Sequence, residues 1–244
     1  MPAMRERRVE AQRGRSVSRE LKGLYKLGGA AFIISGMLFL LRSVLEMMAG
    51  PPPSNGVGIL AWVESEKVAL SLVSAVLFFA AMALVPAVIA LYYSLAGSDR
   101  AKATTGCGLI AAVIPVIAMS LIVHARLVYP IYGIRVDSPA VAEFVVAVFY
   151  GGMHAASLMF GIATVVLSLA MMQGVFGKGI AYLGFATGVL DIMSGYPDAI
   201  GPTLSIVCQV FFTAWFVAVG SRLYGEAQQS DDRDRAWRAT SPVA

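Results

Sequence analysis

Charged and reactive residues are scarce in this sequence. Only 14% of its 244 residues are Asp, Glu, Lys or Arg, whereas about a quarter of a soluble domain is charged. Its two histidines are too few for the three-histidine zinc site of a membrane hydrolase. A Cys-x-x-Cys pair, a glycine-rich phosphate loop, a nucleotide fingerprint and the Gly-x-Ser-x-Gly turn of serine hydrolases are also missing. The low content of charged residues argues against a soluble protein. Because the motifs are missing, the sequence predicts no catalytic residue and no metal site.

Long apolar segments make up most of the chain, which is 58% hydrophobic with a mean hydropathy of +0.73. A run of about 20 apolar residues is long enough to cross a bilayer. The sequence therefore predicts an all-α polytopic membrane protein, a bundle of six transmembrane helices. The predicted spans, which together form a domain over 24–224, are about 24–48, 67–95, 105–128, 141–172, 180–196 and 203–223. A loop is expected over 54–66, with Trp62 at the membrane interface.

Polar segments flank this domain, a basic arm over 1–23 and a tail over 225–244, and neither is expected to be well ordered. Eight of the nineteen Lys and Arg residues lie in the first 26 residues, directly before the first span. That position predicts contact with anionic lipid headgroups and argues against nucleic acid as a partner. Fifteen Lys and Arg residues fall on the side that holds both termini and four on the other. Both termini are therefore expected in the cytoplasm.

The fourth predicted span has a stripe of small and polar residues at steps of three and four, which share one helix face. The stripe consists of Glu143, Ala147, Tyr150, His154, Ser157, Gly161, Thr164 and Ser168. A similar stripe on the fifth span contains the GxxxG pair Gly184 and Gly188. Such faces pack against protein or line a water-filled cavity. We therefore expect the other helices to pack around the fourth span.

Seven polar side chains fall in the outer half of the predicted spans, while the inner half has almost none. They are Arg42, Glu46, His124, Tyr150, His154, Asp191 and Gln209. A charged side chain costs roughly 2.5 to 3.5 kcal/mol at the centre of a span, so each needs a partner or a purpose. Arg42 and Glu46 are four residues apart and can pair. One interpretation is a hydrogen-bonded network that fixes helix packing; the other is an outward-facing polar pocket that binds or transports a lipid or a small polar solute.

Two alternatives to a non-enzymatic binding protein or transporter remain open. His124 and His154 lie on neighbouring predicted helices at similar depth, as the axial ligands of a bis-histidine haem b do. Alternatively, the small-residue faces of helices four and five join a second copy or another subunit of a membrane complex. Cys107 and Cys208 are predicted about 18 Å apart in depth, so we expect two free thiols.

Three short segments resemble a family of prokaryotic six-helix membrane proteins that is catalogued only as a domain of unknown function. They are LYKLGG at 24–29, GIAYLGF at 179–185 and WFVAVGSRLY at 215–224. The resemblance covers about 21–224. It implies a compact bundle in the plasma membrane of a prokaryote, with no activity, cofactor or site attached.

Overall fold

The computed structural model describes residues 2–174 and 176–240, with side chains for 21–174, 176–196, 200–201 and 203–228. The described chain is all-α. Its helices are α1 (Pro2–Ala49), α2 (Gly56–Ser65), α3 (Lys67–Leu95), α4 (Arg100–Val128), α5 (Pro139–Met171), α6 (Gly177–Ser194) and α7 (Pro197–Thr240).

Five helical segments are long and apolar enough to cross a membrane, which makes the chain a multi-pass membrane protein. They are Leu21–Ala49, Lys67–Leu95, Arg100–Val128, Pro139–Met171 and Thr203–Gln228. The fifth predicted span corresponds to α6, which has 18 residues and a length of about 27 Å. It also contains Lys178 and Asp191. A hydrocarbon core is about 30 Å thick, so α6 is slightly shorter than the core. The sequence predicted six equivalent spans, whereas the structure has five long apolar helices and one shorter, more polar helix.

The backbone is helical at both ends of the chain, and the expectation of little order there stays a prediction. The backbone is helical from Pro2 in α1 and as far as Thr240 in α7. Both segments are rich in Ala, Arg, Glu and Gln, which favour helix, and extending an existing helix is easier than starting one. The predicted contact between the arm and anionic headgroups involves side chains outside the described set.

The long helices form a ring of antiparallel neighbours. α1 packs against both α3 and α7, α4 packs between α3 and α5, and α6 packs between α5 and α7. Gly29 near the start of the first span approaches Gly220 and Tyr224 near the end of the last. At the other end of the same pair of helices, Ser43 contacts Gln209. The start of the first span and the end of the last therefore lie on one face of the bundle, which we call the terminal face.

Aromatic rings fill the centre of this ring of helices. Phe32 and Phe39 of α1, Phe160 of α5, and Phe212, Trp215 and Phe216 of α7 are buried with ring centroids 4.3 to 6.4 Å apart. Most pairs are edge-to-face, each worth about 0.5 to 1.5 kcal/mol beyond the buried area. α5 is thus one member of the ring and contributes Phe160 to its centre, whereas the sequence predicted that the other helices pack around it.

Helix α2 covers the end of the bundle opposite the terminal face, and we call this end the α2 face. It occupies most of the segment that was predicted as a loop. Asn55 caps it by accepting a 2.8 Å hydrogen bond from the Gly58 N–H. The Gly56 N–H donates to Glu143 Oε1 of α5 at 2.6 Å, and Trp62 Nε1 donates to the Ala49 carbonyl at 2.8 Å. These bonds fix α2 across the ends of α1 and α5.

Candidate functional site

Arg42 and Glu46 form an ion pair on α1, one turn from the central aromatic Phe39 towards the α2 face. Arg42 Nη2 lies 2.5 Å from Glu46 Oε1, and the two side chains are 13% and 24% exposed. The pairing predicted from their spacing is therefore present. Arg42 Nε is buried, and none of the described residues accepts a hydrogen bond from it.

His124 and Tyr150 lie close to this ion pair. The His124 Nδ1 atom is 3.1 Å from Ser74 Oγ of α3, and its ring stacks on Phe149 with the centroids 4.2 Å apart. Arg42 is within electrostatic range of both His124 and Tyr150, and Glu46 is within range of Tyr150. We call Arg42, Glu46, His124 and Tyr150 the arginine cluster. It unites four of the seven predicted residues from α1, α4 and α5.

Gln209 of α7 borders the arginine cluster through α1. Its Oε1 atom lies 3.2 Å from the hydroxyl of Ser43, the residue that follows Arg42, and the same hydroxyl lies 3.2 Å from the Phe39 carbonyl oxygen. Its Nε2 atom is buried and, among the described residues, has no acceptor. Arg42 of α1 and Gln209 of α7 thus each bury an N–H group that has no acceptor in the part of the chain that the structure describes.

The structure places His154 and Asp191 at a different seam, where α6 packs between α5 and α7. His154 Nδ1 is 2.6 Å from the Gly195 carbonyl oxygen. A carbonyl can only accept, so Nδ1 donates and His154 is protonated at that nitrogen. Asp191 is 5% exposed. The seven predicted residues therefore form two groups, one that joins Tyr150 of α5 to residues of α1, α4 and α7, and one at the seam of α5 and α6 that contains His154 and Asp191.

The two histidines do not fit a shared haem. His124 is held between α3 and Phe149, whereas His154 faces the end of α6. Phe149 and His154 lie about 140° apart around α5 at 3.6 residues per turn, so the two imidazoles do not face a common space. Axial ligation of one iron requires that they do. Among the described residues, no group of three or more His, Cys, Asp or Glu side chains could hold a metal ion either.

The small-residue faces of α5 and α6 meet each other inside the chain. A Cβ atom at Gly161 would lie 2.7 Å from the Gly188 carbonyl oxygen, and one at Gly184 would lie 2.1 Å from Ser168 Oγ. The close approach that the GxxxG pair predicts is thus made within one molecule. Contact of these helices with a second copy or another subunit stays a prediction. The thiols of Cys107 and Cys208 are free and buried, as the sequence predicted.

Three further buried polar side chains were not among the seven predicted site residues. Nε and Nη1 of Arg126, Oγ1 of Thr164 and Nε1 of Trp215 are buried without a hydrogen-bond partner among the described residues. Arg126 falls inside the third predicted span and could have been counted with the other seven. Thr164 belongs to the predicted stripe of the fourth span, whereas Trp215 is ordinary in an apolar helix and gave no signal.

No family model, curated protein or solved structure matches the chain. Membership of the family of unknown function that the three short segments resemble therefore stays a prediction, and the function has to be argued from the site itself.

Proposed function

We propose that this multi-pass membrane protein binds a lipid headgroup or a small polar solute, without converting it, at the arginine cluster and Gln209. The observation on which this rests is the pair of buried donors, Arg42 Nε and Gln209 Nε2, that lack an acceptor among the described residues. They project from α1 and α7, whose side chains meet where Ser43 contacts Gln209. A ligand that reaches both atoms would supply one acceptor oxygen to each.

Burial makes such a ligand energetically favourable. A buried donor left without an acceptor costs about 1 to 3 kcal/mol, and the great majority of buried polar groups in proteins are satisfied. Glu46 already balances the charge of Arg42, so the cluster does not require a strongly anionic ligand. Carbonyl, hydroxyl, carboxylate and phosphate oxygens all have the required acceptor character.

The proposed topology places this site on the outer side of a prokaryotic plasma membrane. In this topology α6 also crosses the membrane, which brings the number of crossings to six, and both termini are in the cytoplasm. The antiparallel ring supports an even number of crossings, since Gly29 and Gly220 lie together on the terminal face. The excess of Lys and Arg at the ends of the chain supports a cytoplasmic terminal face.

Native mass spectrometry of the whole protein, released from mild detergent, tests the proposal. We expect the wild type to retain the mass of one lipid or solute molecule, and Gln209→Leu to lose it because one of the two donors is removed. Arg222→Gln is the matched control, since it removes an i,i+4 pair with Glu226 (Nη2–Oε1 3.1 Å) near the terminal face. That variant should retain the bound mass.

Two results would contradict the proposal. One is a wild type without bound mass together with a Gln209→Leu variant that is more stable than it, because the donors would then be an unsatisfied packing defect. The other is a bound mass that persists in Gln209→Leu and disappears in the Arg222→Gln control. A mass that matches haem or a second chain would instead support one of the alternatives from the sequence.

A further inference from the structure

Asp191 is a buried acid for which no described residue supplies a counter-charge. It lies in the last turn of α6, is 5% exposed, and its Oδ2 atom has no hydrogen-bond partner among the described residues. The basic residue of α6 itself, Lys178, is 13 positions away, or about 20 Å along the helix axis. Asp191 is separate from the arginine cluster, so a role for its carboxyl group does not depend on the proposed solute site.

Two helices pack against α6, and the titratable groups that they bring near Asp191 are not cationic partners. From α7, the Cys208 thiol lies within electrostatic range of the carboxyl group. From α5, His154 lies one helical turn beyond Asp191, where its Nδ1–H donates a hydrogen bond to the Gly195 carbonyl oxygen. Arg42 is paired with Glu46. Among the described residues, no positive charge therefore balances the negative charge of an ionised Asp191.

A carboxylate in such a place is unfavourable, whereas the neutral acid is tolerated. Moving an isolated ionised carboxylate into an apolar environment is far more costly than moving its neutral form, and the usual response is to take up a proton. Ionisable residues inside membrane proteins commonly serve as proton relays for the same reason.

A metal cation fits this site less well than a proton. Oxygen-ligated cations take about six or more ligands, usually with several carboxylates or carbonyls. No described cluster of three acidic, histidine or cysteine side chains includes Asp191. A proton needs only one carboxyl oxygen.

We propose that Asp191 is a reversible proton-binding site, occupied while α5, α6 and α7 are packed as in this structure and emptied when water reaches this seam. Release transfers the proton from the carboxyl oxygen to water and leaves a carboxylate that requires hydration. Loss of the proton and opening of the seam are therefore linked.

Dicyclohexylcarbodiimide, which modifies protonated carboxyl groups in apolar surroundings, is the probe for a test on the full chain in lipid vesicles. Peptide mass spectrometry should show modification of Asp191 at neutral pH that declines in alkaline buffer. Asp99 is the matched control, because it caps α4 at the surface and is bonded to Lys102; it should stay unmodified. His154→Gln should leave the modification of Asp191 unchanged, because that side chain is not its counter-ion.

An Asp191 that stays unmodified in the folded protein at both neutral and acidic pH would overturn the proposal. Protection of Asp191 by sodium chloride but not by choline chloride would overturn it as well, in favour of a metal cation. Asp191→Asn, which mimics the neutral acid, should fold and lose the label from the α6 peptide. If that variant does not fold, the ratio of label at Asp191 to label at Asp99 in the wild type still decides the question.

Discussion

Replacing Gly161 with alanine should force α5 and α6 apart. A Cβ atom at this position would lie 2.6 Å from Ile192 Cγ1 and 2.7 Å from the Gly188 carbonyl oxygen. The side chain of Ile192 can rotate away, but the backbone oxygen cannot move without the helix. Overpacking of this kind typically costs about 1 to 3 kcal/mol.

Gly151→Ala on the same helix is the matched control, since nothing lies within 4 Å of a Cβ atom there. Both substitutions gain about 1 kcal/mol of helix propensity, so this contribution cancels in the comparison. We therefore expect Gly161→Ala to unfold with a free energy about 1 to 3 kcal/mol below that of Gly151→Ala.

Reversible unfolding from mild detergent by added sodium dodecyl sulfate, followed by tryptophan fluorescence, measures this difference. Equal stability of the two variants would refute the close backbone contact between α5 and α6. If Gly151→Ala were instead the less stable variant, the tight helix contact of α5 would lie at residue 151 and not at residue 161.

Three further predictions concern other parts of the bundle. Glu143→Gln replaces a charged acceptor of the Gly56 N–H, so hydrogen exchange in α2 should accelerate by an amount that corresponds to about 1 kcal/mol. Hydrogen bonds from Lys102 lower the pKa of Asp99; its cap on α4 is therefore complete above the ordinary carboxyl pKa and lost as the pH falls through the lowered value. Exchange at the start of α4 should accelerate in acid, and Asp99→Asn should remove that pH dependence. Cys208, buried between helices, should react with a membrane-permeant maleimide in a gel-shift assay only after denaturation.

The long helices were predictable because polar residues and prolines mark their ends. The second predicted span, 67–95, has the same bounds as α3 (Lys67–Leu95), with Lys67 at one end and a polar loop after the other. The three prolines at 51–53 follow directly after the end of α1 at Ala49 and Gly50. Composition also gave the multi-pass membrane class, since apolar runs of this length have few other uses.

Helix α2 was missed because its stability depends on tertiary contacts. A helix of 10 residues is marginal by itself, and α2 is fixed by Glu143 of α5, far away in the sequence. The available local signals were the Asn55 cap and the spacing of Ile59 and Val63, which are buried against the bundle.

The depth of the polar side chains could be predicted from residue counts, but their direction could not. Counting along each span places Arg42, Gln209 and Asp191 in the same half of the bundle, and the structure agrees that Ser43 beside Arg42 meets Gln209. Which neighbour a side chain faces depends on the rotation of each helix about its axis. His124 and His154 consequently face α3 and α6, a difference of direction that residue counting does not detect.

Backbone-to-backbone contact also affects how these helices can move. At Gly161 and Gly188 the backbones of α5 and α6 meet, and the side chains of Ile192 and Val165 pack against the same two glycines. Interlocked side chains of this kind resist sliding, because each must leave its contact before the helix can move along its axis. The axial register of α5 against α6 is therefore fixed while the pair stays packed, and the surroundings of Asp191 change only when the two helices separate.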